Sequence, residues 1–163
     1  IVKGKTTMLE LEIPGYRTLR LSHLVLDFNG TLACDGRLMD GVKERVSALS
    51  QRLEVHVLTA DTFGRVREAV ADMNCNLAVI PRKHEAEAKF QFVRKLGLEC
   101  TACIGNGRND RLMLKGAAVG IAVLQVEGAS TEAMLSADVV TSSILDALDL
   151  LLNPLRLTAT LRS

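Results

Sequence analysis

Aromatic residues are scarce in this chain: it holds no tryptophan, one tyrosine and four phenylalanines in 163 residues. With hydrophobic residues at 48% of the total, the core must be built from Leu, Val, Ala and Ile. That composition fits a helix-flanked parallel sheet better than an aromatic-rich β-sandwich. No apolar run reaches the ~20 residues of a membrane span. The longest, residues 23–28 and 119–126, are of strand length. No secretory signal is visible. The four cysteines (Cys34, Cys75, Cys100, Cys103) are too few and too scattered for a disulfide framework. The expected setting is a cytoplasmic one, without a membrane partner. Charge of one sign is also lacking. The net charge of +1 is dispersed along the chain and leaves no basic footprint for nucleic acid.

Internal repeats, low-complexity tracts and linkers are absent too, so the chain reads as one domain over 1–163. Residues 1–7 read as a loose or non-native end ahead of the better-patterned segment that opens at Met8. Two alternating segments, 8–13 and 16–21, flank Pro14-Gly15 and predict an N-terminal β-hairpin within 8–22. A core over 23–153 follows, in which strand and helix signals alternate. Strands are expected at 24–28, 55–58, 77–80, 102–104 and 119–123. The spacing of Val42, Val46, Leu49 and Leu53 predicts the first helix. Phe63, Val66, Val70 and Met73 predict the second, capped by Asp61 or Thr62. A third runs from Glu85 to a left-handed cap at Gly97, and others span 110–117, 130–135 and 143–152, the last halted by Pro154. Such alternation implies right-handed crossovers and a parallel sheet, with ligands bound at the carboxyl ends of its strands.

Four segments could carry chemistry, and all but one fall at such a strand end. Asp27 closes a buried strand and is followed by Phe28-Asn29-Gly30-Thr31, a turn able to present a carboxylate beside free amides. Taken alone, Asn-Gly between apolar runs is the stronger signal for a hairpin. Thr59-Ala60-Asp61 places a hydroxyl beside a helix start, suited to a phosphate oxygen, although taken alone a plain helix cap is the stronger reading. Lys89 lies on a helix whose apolar positions are Phe90, Val93 and Leu96. A cation facing the sheet could neutralise phosphate, but Lys83, Arg94 and Lys95 compete with it on spacing. Gly105-Asn106-Gly107-Arg108-Asn109-Asp110 is the most specific run, its glycines allowing close approach of the backbone to a ligand or metal. It lacks the third glycine and the acidic strand end of a dinucleotide site.

These four elements, in this order, resemble the four motifs of the haloacid dehalogenase (HAD) superfamily, and within it the phosphorylation domain of P-type cation ATPases. That family's Asp-Lys-Thr-Gly-Thr is matched by Asp27 to Thr31, its Thr-Gly-Asp by Thr59 to Asp61, and its lysine ahead of Val-x-x-Leu by Lys89. Its Gly-Asp-Gly-x-Asn-Asp is matched by Gly105 to Asp110. The likeness continues through 118–122 and 137–140 and covers roughly 22–152. It implies a three-layer α/β/α sandwich around a mostly parallel, Rossmann-like sheet. It also implies an Mg²⁺-dependent phosphohydrolase or phosphoryl-transfer enzyme in which Asp27 forms an aspartyl-phosphate. Thr59, Lys89 and Asn109, with the backbone of Phe28, Asn29, Gly30 and Ala60, would hold phosphate. Asp27, the Asn29 carbonyl, Asn106 and Asp110 would serve the metal, with Asp110 either pairing with Lys89 or supporting the metal's outer shell.

Two departures bear on activity. Asn29 stands where soluble phosphatases of the superfamily carry an acid–base Asp, a group worth ~10²–10⁴-fold in rate. Asn106 stands where a metal-binding Asp is usual; its amide oxygen can still ligate Mg²⁺, with one charge fewer. Slow turnover is expected, and the alternative is a catalytically weak binding or regulatory module. Residues 31–40, with Asp35-Gly36 at the tip, have room only for a flap. No substantial cap domain is expected, which leaves the site open to a bulky phosphorylated substrate, a partner protein or a neighbouring subunit in a homo-oligomer. The hairpin could supply that subunit contact, though extension of the sheet is its simpler role. Cys100-Thr101-Ala102-Cys103 reads as core, and His23, His56 and His84 show no metal spacing.

Overall fold

The computed structural model describes residues 8–62 and 64–163. The reading of residues 1–7 as a loose end and the place of Phe63 in a helix lie outside the described residues.

β3 (His23–Asp27) is the organising strand. It pairs in parallel with β6 (Glu54–Thr59) on one side and β8 (Thr101–Gly105) on the other. Both of its faces are covered, which is why Leu24-Val25-Leu26 is continuously apolar rather than alternating. Leu24 and Leu26 enter one core cluster and Val25 the other. With β7 (Asn76–Val79), β9 (Val119–Val123) and β10 (Val139–Thr141) the sheet has the order β10-β9-β8-β3-β6-β7, parallel throughout. The chain builds outward from β3 through β6 to β7, then crosses back to β8. The carboxyl end of β3 is therefore the topological switch point, where such sheets leave a crevice.

One face of the sheet is packed by α1 (Val42–Leu49) and α6 (Ile144–Leu152), with Val66 of α2 (Arg65–Ala69) in the same cluster; α7 (Pro154–Leu161) lies against α6 and adds Leu157 to it. The other is packed by α3 (Glu85–Leu96), α4 (Arg111–Gly116) and α5 (Thr131–Ser136), through Val93, Met113, Leu114 and Ala133. This is the expected three-layer sandwich. Its fourth expected helix splits into a 3₁₀ turn over Arg108–Asp110 and α4. β4 (Ala33–Cys34) and β5 (Arg37–Leu38) form the small flap expected after Asp27.

Several local expectations need correction. The N-terminal strands β1 (Leu9–Ile13) and β2 (Arg17–Leu21) pair as expected, but as a separate two-stranded sheet rather than an extension of the main one. Their alternating inner residues, Leu9, Leu11, Ile13, Leu19 and Leu21, are spent on the core cluster beneath them. α2 is a single short helix with Gly64 at its N-cap. Asp61 nevertheless reaches it, accepting a hydrogen bond from the Val66 amide at 3.3 Å. Gly97 has positive φ (114°) but ψ of 110°, outside the left-handed helical basin. Pro154 does not simply end structure: it is the first residue of α7, where a missing amide costs nothing.

Tyr16, at the hairpin turn, donates its hydroxyl to Asp138 Oδ1 at 2.5 Å, while the other Asp138 oxygen accepts from the Gly120 amide. Burial and the Asp138 carboxylate together push the Tyr16 pKa up to about 12. A raised folded-state value means that the phenol's contribution to stability is full below pH 10 and is lost as pH rises towards 12. Because this is the chain's single tyrosine, ultraviolet titration of the native protein should show phenolate forming near pH 12. In urea the same transition should return to about pH 10.

Candidate active site

Three strand ends meet at the crevice. Asp27 closes β3, Thr59 closes β6, and Gly105 closes β8 ahead of the loop that carries Asn106, Asn109 and Asp110. From the layer beside them α3 lays Lys89 across the floor. Of the four cations that spacing could not rank, Lys89 is 1% exposed, while Lys83, Arg94 and Lys95 face solvent. Its ammonium donates to Asp27 Oδ1 and to Asp110 Oδ1, each at 2.6 Å.

Asp110 uses its second oxygen as well. Oδ2 accepts from the Asn106 amide at 3.0 Å and the Gly107 amide at 2.8 Å, which fixes the loop that presents Asn106. Fully buried and engaged at both oxygens, Asp110 sits behind the cleft and pairs with Lys89. The lack of a side chain at Gly105 is required here, since a Cβ would lie 2.5 Å from the Asp110 carboxyl carbon. Asn106 is oriented by the carbonyl of Gly128, which accepts from its Nδ2 at 3.0 Å and so turns its Oδ1 inward. The Thr31 hydroxyl lies 3.1 Å from that oxygen and 3.1 Å from Asp27 Oδ2, with one proton to share between them.

The electrostatics follow from burial. Asp27 is pushed up to about 7 first by desolvation, then by the charge of Asp110, with Lys89 and Thr31 opposing. Burial pulls the Lys89 pKa down, but the two carboxylates overcome this and hold it above the ordinary lysine value. The ammonium is therefore permanently charged, and it neutralises one of the two carboxylates it touches.

A cleft of about 750 Å³ opens above this floor and is lined by Asp27, Phe28, Asn29, Thr59, Ala60, Lys89, Asn106 and Asn109, among others. Asn29 is exposed at its edge, whereas the Phe28 side chain is turned into the core. The Thr59 hydroxyl accepts from the Asp61 amide at 3.0 Å, and Asn109 donates to Glu85 Oε2 at 2.6 Å. Gly30 does not line the cleft. Its φ of +77° places it under the Asn106 side chain, and its amide is spent on the Ala33 carbonyl at 2.9 Å.

Sequence reasoning missed several contributors. Gln125 braces the Asp27 turn by donating to the carbonyls of Gly30 (3.1 Å) and Thr31 (2.7 Å) while accepting from the Ile144 amide (2.9 Å). Arg65, Arg82 and Glu85 border the cleft, as does Gly36 from the flap tip. Gln125 and the arginines lie outside the four motifs, and only the folded chain brings them there.

The donors that converge on the inner wall, Asp27 Oδ2 and Asn106 Oδ1, are both oxygens, with the Thr31 hydroxyl between them. That set suits a hard cation such as Mg²⁺, which would meet one formal negative charge there.

No family model matches the chain. It is 58% identical over 59 residues to the uncharacterized protein MJ0073 of Methanocaldococcus jannaschii, a match covering 36% of this chain and 63% of that protein, hence less than two thirds of its length. It is 51% identical over 39 residues to the uncharacterized protein MJ0072 of the same organism, covering 24% of this chain and 89% of that one. Among solved structures, it superposes on the 3-deoxy-D-manno-octulosonate 8-phosphate phosphatase of Moraxella catarrhalis with a TM-score of 0.69 at 16% identity, covering 82% of this chain and 86% of that one. That structure holds magnesium and phosphate ions. The cobalt-bound deoxy-D-mannose-octulosonate 8-phosphate phosphatase (YrbI) from Haemophilus influenzae gives a TM-score of 0.68 at 16% identity, covering 88% of this chain and 94% of that one. A zinc-transporting PIB-type ATPase gives 0.60 at 24% identity, covering 75% of this chain and 20% of that one. The fold is thus the one HAD phosphatases use, and by sequence the chain belongs to the family of the Methanocaldococcus jannaschii protein MJ0072.

Proposed function

We propose that this protein is an Mg²⁺-dependent phosphohydrolase or phosphoryl-transfer enzyme that works slowly through an aspartyl-phosphate on Asp27. The observation that carries this reading is the buried Asp27–Lys89–Asp110 triad, of which Asp27 and Lys89 line an open cleft while Asp110 supports Lys89 from behind. Burying such a group seldom stabilises a fold more than apolar side chains of the same volume would. Its retention at a strand-end crevice fits a catalytic purpose better than a structural one.

In this reading one Asp27 oxygen attacks phosphorus in line. The bond to the leaving oxygen breaks as the bond to Asp27 forms, and the leaving group takes its proton from water because Asn29 has none to give. Water then cleaves the acyl phosphate and regenerates Asp27. Lys89, Thr59 and Asn109 hold the phosphoryl oxygens, while Asp110 positions Lys89. Asp27, Asn106 and the Asn29 carbonyl would hold Mg²⁺, which when bound supplies charge neutralisation for the phosphoryl group. Arg65 and Arg82 at the rim favour an anionic substrate. The P-type-like first motif, with an amide where an acid–base carboxyl would stand, fits a long-lived acyl phosphate.

Intact mass after incubation with acetyl phosphate and Mg²⁺ tests the reading. One phosphate-sized adduct is expected, absent in Asp27→Asn. A folded protein that forms no adduct at any Mg²⁺ concentration would instead be a catalytically weak binding or regulatory module, in which the amides at Asn29 and Asn106 have cost the site its chemistry.

A further inference from the structure

The end of the sheet remote from Asp27 carries a second convergence of ligand-type side chains. His23 opens β3, Glu54 opens β6, and the two are partners in the parallel register. His56 follows Glu54 by two residues and so projects from the same face. Their spacing in sequence gives no hint of this, because the strand pairing alone brings them together. His23 Nδ1 lies 3.3 Å from His56 Nε2 and 3.5 Å from Glu54 Oε2; His56 Nε2 lies 3.9 Å from Glu54 Oε1.

Three ligand-type side chains therefore converge, the Glu54 carboxylate turning Oε2 towards His23 and Oε1 towards His56. In a neutral imidazole pair only one proton lies between the two rings, and the Glu54 carboxylate brings further negative charge to the same place. A cation at the centre would satisfy all three. The dimensions fit one: zinc–nitrogen bonds of 2.0–2.1 Å give ligand-to-ligand edges of ~3.3–3.4 Å in a tetrahedron. The His23–His56 edge (3.3 Å) and the His23–Glu54 Oε2 edge (3.5 Å) lie at or near that length; His56 is 3.9 Å from the other carboxylate oxygen, and rotation of the half-exposed Glu54 side chain would bring one oxygen to both rings.

The surroundings resemble those of a built site. His56 is 4% exposed and meets Phe92 of α3 edge-on, with ring centroids 5.5 Å apart. Asn76, at the start of β7, donates to Glu54 Oε1 at 3.0 Å, the outer-shell bond that commonly orients a metal-ligating carboxylate. The half-exposed Glu54 leaves one side open to water, as a three-ligand site requires.

We propose that His23, Glu54 and His56 bind a transition-metal dication of the zinc type, at a site separate from the Asp27 cleft. Imidazole donors select zinc, cobalt, nickel or copper over magnesium, whereas the all-oxygen set at Asp27 and Asn106 favours magnesium, so the two ends of the sheet sort metals by chemistry. The bound ion clamps β3 to β6, the two strands whose far ends present Asp27 and Thr59.

Cobalt(II) titration of the full chain, with Zn²⁺ competition, tests the proposal. One equivalent should give the intense visible bands of a four- or five-coordinate ion without a near-ultraviolet thiolate band, and Zn²⁺ should displace it. The signal should survive Asp27→Asn, which disables the cleft, and Cys34→Ser, which disables the Cys34–Asp35–Glu127 group. His23→Gln and Glu54→Gln, chosen because these residues are less buried than His56, should weaken binding at least ~10-fold with circular dichroism unchanged; Asn76→Ala should weaken it by ~10-fold through Glu54. Bands unaltered in His23→Gln, or lost in Asp27→Asn or Cys34→Ser, would place the ion elsewhere and overturn the proposal. No cobalt or zinc binding at all would leave the imidazoles held by a shared proton only, and would equally overturn it.

Discussion

Replacing Lys89 with methionine is expected to destabilise the protein by about 3–5 kcal/mol, the cost of removing one partner from a buried ion pair. Shape is not the reason, since methionine nearly matches the lysine stem. The loss is electrostatic, because Asp27 and Asp110 each accept from Nζ at 2.6 Å and, among the described residues, neither has another cation within ion-pair distance. Without the ammonium, two buried carboxylates face each other. Asp27, already raised to about 7 by burial and by Asp110, rises further. A carboxyl whose folded pKa exceeds its unfolded value stabilises the protein at low pH and loses that contribution as pH rises through the folded value. Urea denaturation should therefore find the variant closer to wild type at pH 5 than at pH 8. Adding Asp110→Asn should recover part of the deficit, because it removes the like charge, and a double-mutant cycle would read the coupling directly. Adduct formation on Asp27 should fall by about 10²–10³-fold in Lys89→Met even where the fold survives, since the cation that meets phosphoryl charge is gone. Equal stability at both pH values would mean that the two acids are not coupled through Lys89.

The same residue shows what a sequence can convey. Four motifs in order single out Lys89, but helical spacing gives Lys83, Arg94 and Lys95 the same standing. Which face α3 turns to the sheet decides between them, and that depends on packing against Val93 and the sheet beneath. The strands were legible because double burial leaves an unbroken apolar run, as in Leu24 to Leu26. The second turn of helix after Thr59 was not, because Val66, Val70 and Met73 keep helical spacing although only Arg65–Ala69 is helical. Gln125 carries no motif at all; its role arises because the loop after β9 passes the turn after β3. The histidines fail for a different reason. His23 and Glu54 are thirty-one positions apart and become neighbours only through the β3–β6 register, which no local pattern encodes. Periodicity thus gives elements, and ordered motifs give the strand ends, whereas contacts set by register and by crossing loops need the fold.

Asn29→Asp should raise steady-state phosphatase turnover by about 10²–10⁴-fold, the usual worth of a positioned acid–base group. The residue is exposed at the cleft edge, so the new carboxyl needs no burial and should cost little stability. Both half-reactions gain, because the leaving oxygen acquires a proton donor and the attacking water a base. The lifetime of the Asp27 adduct should shorten accordingly, as a chase after acetyl phosphate removal would show. Asn106→Asp behaves differently. It adds a charged oxygen to the metal-facing set and should tighten Mg²⁺ binding. However, Nδ2 now donates to the Gly128 carbonyl at 3.0 Å, and aspartate would set an oxygen against that carbonyl instead. A loss of about 1–3 kcal/mol is expected at that position, relieved only if the loop carrying Gly128 moves away. The amide is thus tied to the local fold at position 106 but not at position 29. If Asn29→Asp leaves turnover unchanged while adduct still forms at the wild-type rate, proton transfer does not limit this site. If turnover rises as expected, the slow step is the one that Asn29 cannot assist, and the chain keeps a competent nucleophile beside an absent acid–base partner.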